Sequence, residues 1–289
     1  MRQAADMIWD SGVRADPRFL STLARLSGRA QQIKAGTYQV TTGVTPWQLL
    51  LMLEKGDVAR GSVRLVEGWT FNQMRTALEK HPDLLADTKD LSNAEILARI
   101  GASQEQPEGL FFPDTYVFDK RSKVSSVLTR AYQAMQKRLN GEWEGRVRDL
   151  PLKSPYDALI LASVVEKETG RDADRTRIAN VFINRLRVGM KLQTDPAVIY
   201  GMDGKFDGKL RRRDLDTDTP WNTYTRVGLP PTPISMPGLA SLRAVMHPEG
   251  GDMLYFVARG DGSSEFSRTL NEHNRAVDRY QRNKGVSKN

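Results

Sequence analysis

Apolar and polar positions alternate with two different periods along this chain, and the switches between them outline its elements. Residues 4–26 predict two short helices around Gly12 and Asp16-Pro17, with Phe19, Leu20, Leu23 and Leu26 at helical spacing. Ile33 to Val40 alternates and predicts a strand. Thr45-Pro46 starts a helix through Trp47, Leu49, Leu50, Leu51 and Leu53, which Gly56 closes. Val63-Arg64-Leu65-Val66 alternates again, Gly68 breaks it, and Thr70 caps a helix through Met74 and Leu78.

The next stretch is polar, with a helix expected from Asn93 to Ile100 and a linker from Gly101 to Pro107. Glu108 to Phe118 is dense in aromatic residues and carries a turn at Pro113-Asp114. Val124 to Leu139 reads as a basic amphipathic helix, and residues 145–153 as a loop. Beyond residue 170, Asp172 or Asp174 can cap a helix bearing Ile178, Val181, Phe182 and Leu186 on one face, ended by Gly189. From Arg211 to Gly238 the apolar period is lost, and five prolines with Trp221 and Tyr224 fix a long ordered loop. A helix over 238–246, two short strands around the Gly260-Asp261-Gly262 turn, and a helix from about Leu270 to Tyr280 close the chain. The fold class expected is α+β, with a division near residue 106: an N-terminal region over 1–106 and a larger domain over 107–289.

One segment departs from all of these patterns. Ser154 can N-cap a helix, Pro155 suits its first position, and Asp157 lies in the first turn, where the helix dipole favours an anion. Gly170 is placed to end it in a left-handed conformation. Between them, Ala158 to Val165 is apolar or small on every side, which marks a buried helix. Glu166 falls close to the line of Leu159 and Ser163, in the last buried turn. Desolvation and the negative end of the dipole both favour its proton, as a general acid at neutral pH requires. A plain ion pair with Lys167 or a distant arginine is the alternative. Glu168 points to another face, where solvation or a structural role is expected.

Composition narrows the chemistry. With no cysteine, disulfides and thiolate chemistry are excluded, and His81, His247 and His273 lack metal-ligand spacing, so neither a metal nor another cofactor is expected. No apolar run approaches the roughly 18 residues that span a bilayer. The net charge of +8 suits an anionic partner, or is no more than a solvated arginine-rich surface. No Ser sits in a nucleophile elbow, and no phosphate-binding glycine loop is present.

Glycosidic cleavage ordinarily uses two carboxylates. Asp195, in Leu192-Gln193-Thr194-Asp195-Pro196, and Asp114 are candidates for the second, although each also suits a turn that bonds its own backbone. Phe112, Tyr116, Tyr200, Trp221 and Tyr224 offer faces to sugar rings or serve as loop anchors, while Gln193 and Asn222 could bond a substrate's amides or hydroxyls.

Several of these segments, taken together and in order, resemble the endolytic murein transglycosylase (YceG-like) family. They are Lys34-Ala35-Gly36-Thr37-Tyr38, Leu65-Val66-Glu67-Gly68, Phe112-Pro113-Asp114-Thr115-Tyr116, the run Leu161 to Thr169, Val181 to Leu186, Leu192 to Pro196, Tyr200-Gly201-Met202, Trp221-Asn222-Thr223-Tyr224-Thr225 and Gly228-Leu229-Pro230-Pro231. The strand–helix block over about 30–80 also resembles a small LysM-type carbohydrate-binding module.

The family resemblance implies a lytic transglycosylase that cuts peptidoglycan strands between N-acetylmuramic acid and N-acetylglucosamine and leaves 1,6-anhydro ends. It implies a single catalytic acid at Glu166, with Gln193, Thr194, Asp195, Asn222 and Tyr224 holding the substrate. Peptidoglycan synthases are implied as partners and nucleic acid is not. Members resembling this chain begin with one membrane-spanning helix, absent here, so an ectodomain on the outer face of the inner membrane is expected. Trp221 stands where the family has tyrosine. A hydrolytic glycosidase or a non-catalytic peptidoglycan-binding protein remains the alternative.

Overall fold

In a computed structural model, which describes residues 1–282, helices predominate and the strands pair only two by two. Helices α1 (Arg2–Asp10) and α2 (Pro17–Leu26) form the expected pair. Asp16 starts α2 by accepting from the amides of Arg18 and Phe19, with Pro17 in the first position. Helix α3 (Pro46–Lys55) opens on a reciprocal Thr45–Gln48 cap and closes at Gly56, which is left-handed at φ 71°. Ala5, Ala15, Leu20, Leu49 and Leu53 form a small core of their own.

The strand expected over Ile33–Val40 does not form. This segment runs as irregular chain, held where the Lys34 amide donates to the Leu53 carbonyl and the Ala59 amide to that of Thr37. Its alternation has another cause: Ile33, Tyr38 and Val40 pack onto the small core without a ladder. The second expected strand is present as β1 (Arg60–Arg64), slightly earlier than read, before α4 (Phe71–Glu79), β2 (Leu84–Leu85) and α5 (Asn93–Ile100). Its partner is β3 (Thr115–Asp119), antiparallel, with Val63 opposite Tyr116. Residues 30–80 therefore do not close a sheet among themselves, and the LysM-like arrangement is not seen. The short β2 pairs in parallel with β4 (Ser122–Lys123).

The large core takes Phe71, Met74 and Leu78 from α4 and Ile96 from α5, together with Phe111 and residues of every long helix that follows. Those helices are α6 (Val124–Glu144), α7 (Pro155–Glu168), α8 (Asp172–Arg187) and, past the short α9 (Asp195–Gly201) and α10 (Arg212–Asp216), α11 (Leu239–Met246). Helix α11 packs on α6, α7 and α8, and α7 packs on both α6 and α8. The antiparallel hairpin β5 (Tyr255–Ala258) and β6 (Ser264–Ser267) follows, covered by α12 (Leu270–Val277). Among the described residues no helix is long and apolar enough to cross a membrane.

Helix α7 starts as its sequence predicts, with the Ser154 hydroxyl accepting from the Asp157 amide at 3.2 Å. Ala158 to Val165 is buried without exception, and five of these eight side chains are Leu, Ile or Val. At about 2 kcal/mol each, their burial favours this packing by on the order of 10 kcal/mol before entropy is counted. The end of the helix differs from expectation. Thr169 is extended (φ −144°) and Gly170 is not left-handed, so the chain leaves α7 straight and enters α8 two residues later.

Candidate active site

Segment 234–241 runs along one face of α7 and reads two of its side chains, Ser163 and Glu166, one turn apart. The Ile234 amide donates to Ser163 Oγ (2.9 Å), and Ser235 Oγ donates to the Ser163 carbonyl (3.2 Å). One turn further, the Gly238 amide (2.9 Å) and the Ser241 hydroxyl (2.7 Å) both donate to Glu166 Oε2. Helical spacing did put Glu166 on the Ser163 line, but the carboxylate is half-buried, not dry. It stands at the margin of the apolar helix with one oxygen anchored by two donors. That arrangement fixes the group while leaving it reachable.

A second carboxylate approaches segment 234–238 from the turn at residues 67–69. The Gly68 amide donates to the Met236 carbonyl and the Met236 amide to the Trp69 carbonyl, each at 2.8 Å. This pair of bonds brings Glu67 against Gly238, where an added Cβ would stand 1.9 Å from Glu67 Oε1. Burial and then the charge of Glu166 push the Glu67 carboxyl up from its ordinary range, Asp172 adding to this and Arg175 and Arg64 opposing it.

Past Glu166, the last residue of α7 faces a different wall. Glu168 accepts from the Thr194 hydroxyl. Burial pushes its carboxyl up to about 7, with Asp195 adding to the effect and the Thr194 and Arg185 contacts opposing it. Of the two roles expected of Glu168, solvated or structural, the contact with the 192–195 turn favours the structural one. Gln193, held at φ 50°, Asp195 and Tyr224 line the same cavity of about 540 Å³, and the Tyr224 hydroxyl donates to Asp195 Oδ1 at 2.6 Å. A second depression of about 470 Å³ is lined by Asp172, Arg175, Ala240 and Arg243.

The YceG-like family model matches residues 1–279. The chain belongs to the YceG-like family. Its relatives include the endolytic murein transglycosylase of Bacillus subtilis strain 168, 39% identical over 87% of this chain and 74% of that protein. Another is the protein of the same name from Streptococcus pneumoniae strain D39, 27% identical over 85% of this chain and half of that protein. A crystal structure of a YceG-like protein from Listeria monocytogenes superposes with a TM-score of 0.62 at 29% identity, covering 95% of this chain and 94% of that one.

In this YceG-like chain the residues implicated by the family likeness divide into two kinds. Gln193 and Asp195 are exposed and Tyr224 half-buried, all three at the cavity; Thr194 and Asn222 are buried. Asn222 Nδ2 donates to the carbonyls of Leu215 (3.0 Å) and Thr217 (2.6 Å), and its Oδ1 accepts from the amides of Tyr224 (2.8 Å) and Thr225 (3.2 Å). It holds the loop that presents Tyr224. Thr194 is doubly tied to Thr223 and reaches Glu168 with its hydroxyl. Neither side chain is free to bond a ligand.

Other candidates fall away from the site. Asp114 accepts from the Thr115 amide next to it and faces Arg138, so it is no partner for Glu166. Phe112 and Tyr116 are core residues. Tyr200 and Trp221 border a third cavity of about 700 Å³ with Tyr156, but their polar atoms bond Glu108 and Thr232. Val181 to Leu186, read only as a helix face, has a further task in α8: Asn184 and Arg185 donate to the carbonyls of Gly251, Met253, Leu254 and Leu192, which fixes the cavity wall.

Glu67 was missed as a candidate because nothing local marks it. Its segment pairs with residues far along the chain, and the only signal in the sequence was its place in Leu65-Val66-Glu67-Gly68 beside the family's other motifs.

Proposed function

We propose that this chain is an endolytic murein transglycosylase that cuts the bond between N-acetylmuramic acid and N-acetylglucosamine within glycan strands, with Glu166 as its acid and then its base. The observation that carries this is the state of Glu166: reachable from solvent, with Oε2 anchored by the Gly238 amide and the Ser241 hydroxyl and Oε1 left for the substrate. Protonated Glu166 gives its proton to the glycosidic oxygen as the C1–O bond breaks. The resulting carboxylate takes the proton of the same sugar's 6-hydroxyl while that oxygen bonds C1 and closes the 1,6-anhydro ring. Glu166 ends protonated, no water is consumed, and a second catalytic carboxylate is not required by the stoichiometry.

The cavity lined by Glu168, two residues beyond Glu166 on the same helix, offers room for sugars of the strand. Gln193, Asp195 and Tyr224 face the strand there, and Thr194 and Asn222 act by holding that wall. The substrate places the enzyme in the cell envelope, on the outer face of the cytoplasmic membrane, beside the synthases that make the strands.

Mass spectrometry of products from defined glycan strands tests this. Glu166→Gln is expected to lower the rate by about 10³-fold, and the wild type to release anhydro-ended fragments. Products that incorporate solvent oxygen would indicate a hydrolase, and binding without cleavage a non-catalytic glycan-binding protein. A second assignment has its own support: Glu168, whose carboxyl is held up to about 7 in the larger cavity, has the proton affinity an acid needs. Near-complete loss in Glu168→Gln with activity retained in Glu166→Gln would move the catalytic role there.

A further inference from the structure

We propose that the cavity of about 700 Å³ bordered by Tyr156, Tyr200 and Trp221 is a second glycan-binding site, which holds the strand away from the bond being cut. This rests on the reading of the chain as an enzyme of glycan strands. The three rings are half-buried and come from separate segments: Tyr156 from the first turn of α7, Tyr200 from the last turn of α9 and Trp221 from the long loop.

Two of these rings are fixed by their polar tips. The Tyr200 hydroxyl donates to Glu108 Oε2 (3.2 Å), and Trp221 Nε1 donates to Thr232 Oγ1 (3.0 Å), which itself donates to the Pro233 carbonyl (2.9 Å). What both residues offer a ligand is therefore ring surface, already held in place, so that little ordering is left to be done on binding. Their centroids lie 5.6 Å apart with the planes at 64°, an edge-to-face pair that forms a corner of the cavity.

The rest of the lining selects the class of ligand. Ser103, Gln104 and Gln106 stand around the rings, and among the described residues of the lining Glu105 alone is charged. Gln104 Oε1 accepts from the Tyr132 hydroxyl at 3.0 Å, which leaves its NH2 group as a donor. Flat apolar faces beside neutral amides and a hydroxyl suit the C–H face, hydroxyls and acetamido groups of an N-acetylhexosamine. A phosphate-bearing polymer would call for cations, which this lining lacks.

The cavity is joined to the one that holds Gln193, Asp195 and Tyr224 by two shared walls. Helix α9 packs on α7, with Asp195 at its start in the first cavity and Tyr200 near its end in the second. The loop repeats this arrangement: Tyr224 lines one cavity and Trp221 the other, with buried Asn222 between them. Along α7, Tyr156 and Glu166 are separated by three turns, about 15 Å. A few linked sugars cover that span, so one strand lying across α9 reaches both cavities.

The test is calorimetric titration of the full chain carrying Glu166→Gln with bare strands of N-acetylglucosamine and N-acetylmuramic acid, from a disaccharide upward. Affinity is expected to rise with length until the strand occupies both cavities. Tyr156→Ala removes one ring, and Ser103→Leu covers the rings from an exposed position. Each is expected to weaken the longest strands roughly tenfold and to flatten the rise with length. A merely structural defect would instead weaken every length alike and keep the rise. Thermal unfolding identifies a variant that fails to fold, and the other then decides. Long strands bound as tightly by the folded variants as by their parent overturn the second site alone. A loss confined to strands that carry peptides would assign the cavity to peptide and overturn it too. Strands that bind no form of the protein would instead sink the substrate proposed above, and this site with it.

Discussion

At the scale of single residues, Glu166 is held by two donors on one oxygen, the Gly238 amide and the Ser241 hydroxyl. Ser241 is fully buried, so Ser241→Ala leaves little room for water to take its place. Loss of a hydrogen bond to a carboxylate, about 1.5 kcal/mol, should loosen the side chain and lower kcat roughly tenfold, with KM little changed, as steady-state kinetics on defined glycan strands would show. An unchanged kcat in folded Ser241→Ala would contradict the anchoring role. The position of Glu166 at the end of a buried run was legible in the sequence, because a carboxylate after eight apolar or small positions is unusual. Its anchors were not, since Gly238 and Ser241 lie more than seventy residues away and carry no pattern of their own.

At the scale of elements, starts were more legible than ends. Asp16, Thr45, Thr70, Ser92 and Ser154 each accept from an amide of the first turn, as local sequence dictates. The end of α7 was misread at Gly170 because the next helix, not a left-handed turn, determines where the chain goes. The alternation at Ile33–Val40 was read as strand, yet alternation reports half-burial and needs a partner before it becomes a ladder. The loop from residue 217 to 238 shows how order arises without periodicity. Fully buried Asn222 satisfies two carbonyls and two amides across that loop, and Trp221 Nε1 donates to Thr232. Asn222→Ala orphans these groups in the interior. It should lower stability by about 3 kcal/mol, seen as a lower denaturant midpoint at unchanged slope. It should also raise KM, because Tyr224 loses the bond that sets its backbone. A variant as stable as the parent would mean that water reaches these carbonyls.

At the scale of the whole molecule, Glu108 joins the two ends of the large core. It is 6% exposed, accepts from the Phe71 amide at the start of α4, and accepts from the Tyr200 hydroxyl of α9. Nothing local warned of it, because the residue directly follows an expected linker and its partners come from segments before and far after it in the chain. Burial pushes its carboxyl up to about 7, against 4.5 in the unfolded chain, the Phe71 and Tyr200 bonds offsetting only part of the effect. The sign follows from proton binding. Above pH 4.5 the unfolded chain has released this proton while the folded chain still holds it, so stability falls as pH rises toward 7 and levels off beyond. The loss from this group is on the order of 3 kcal/mol, and Glu168, also raised to about 7 by burial, adds a similar trend. Glu108→Gln keeps the size and a hydrogen-bonding head without the charge. It should match the parent near pH 5 and exceed it in stability near pH 8 by on the order of 2 kcal/mol, read from denaturant unfolding at the two pH values. Equal stabilities at both would mean that Glu108 ionises without strain, and that the joint between α4 and α9 opens to water in solution.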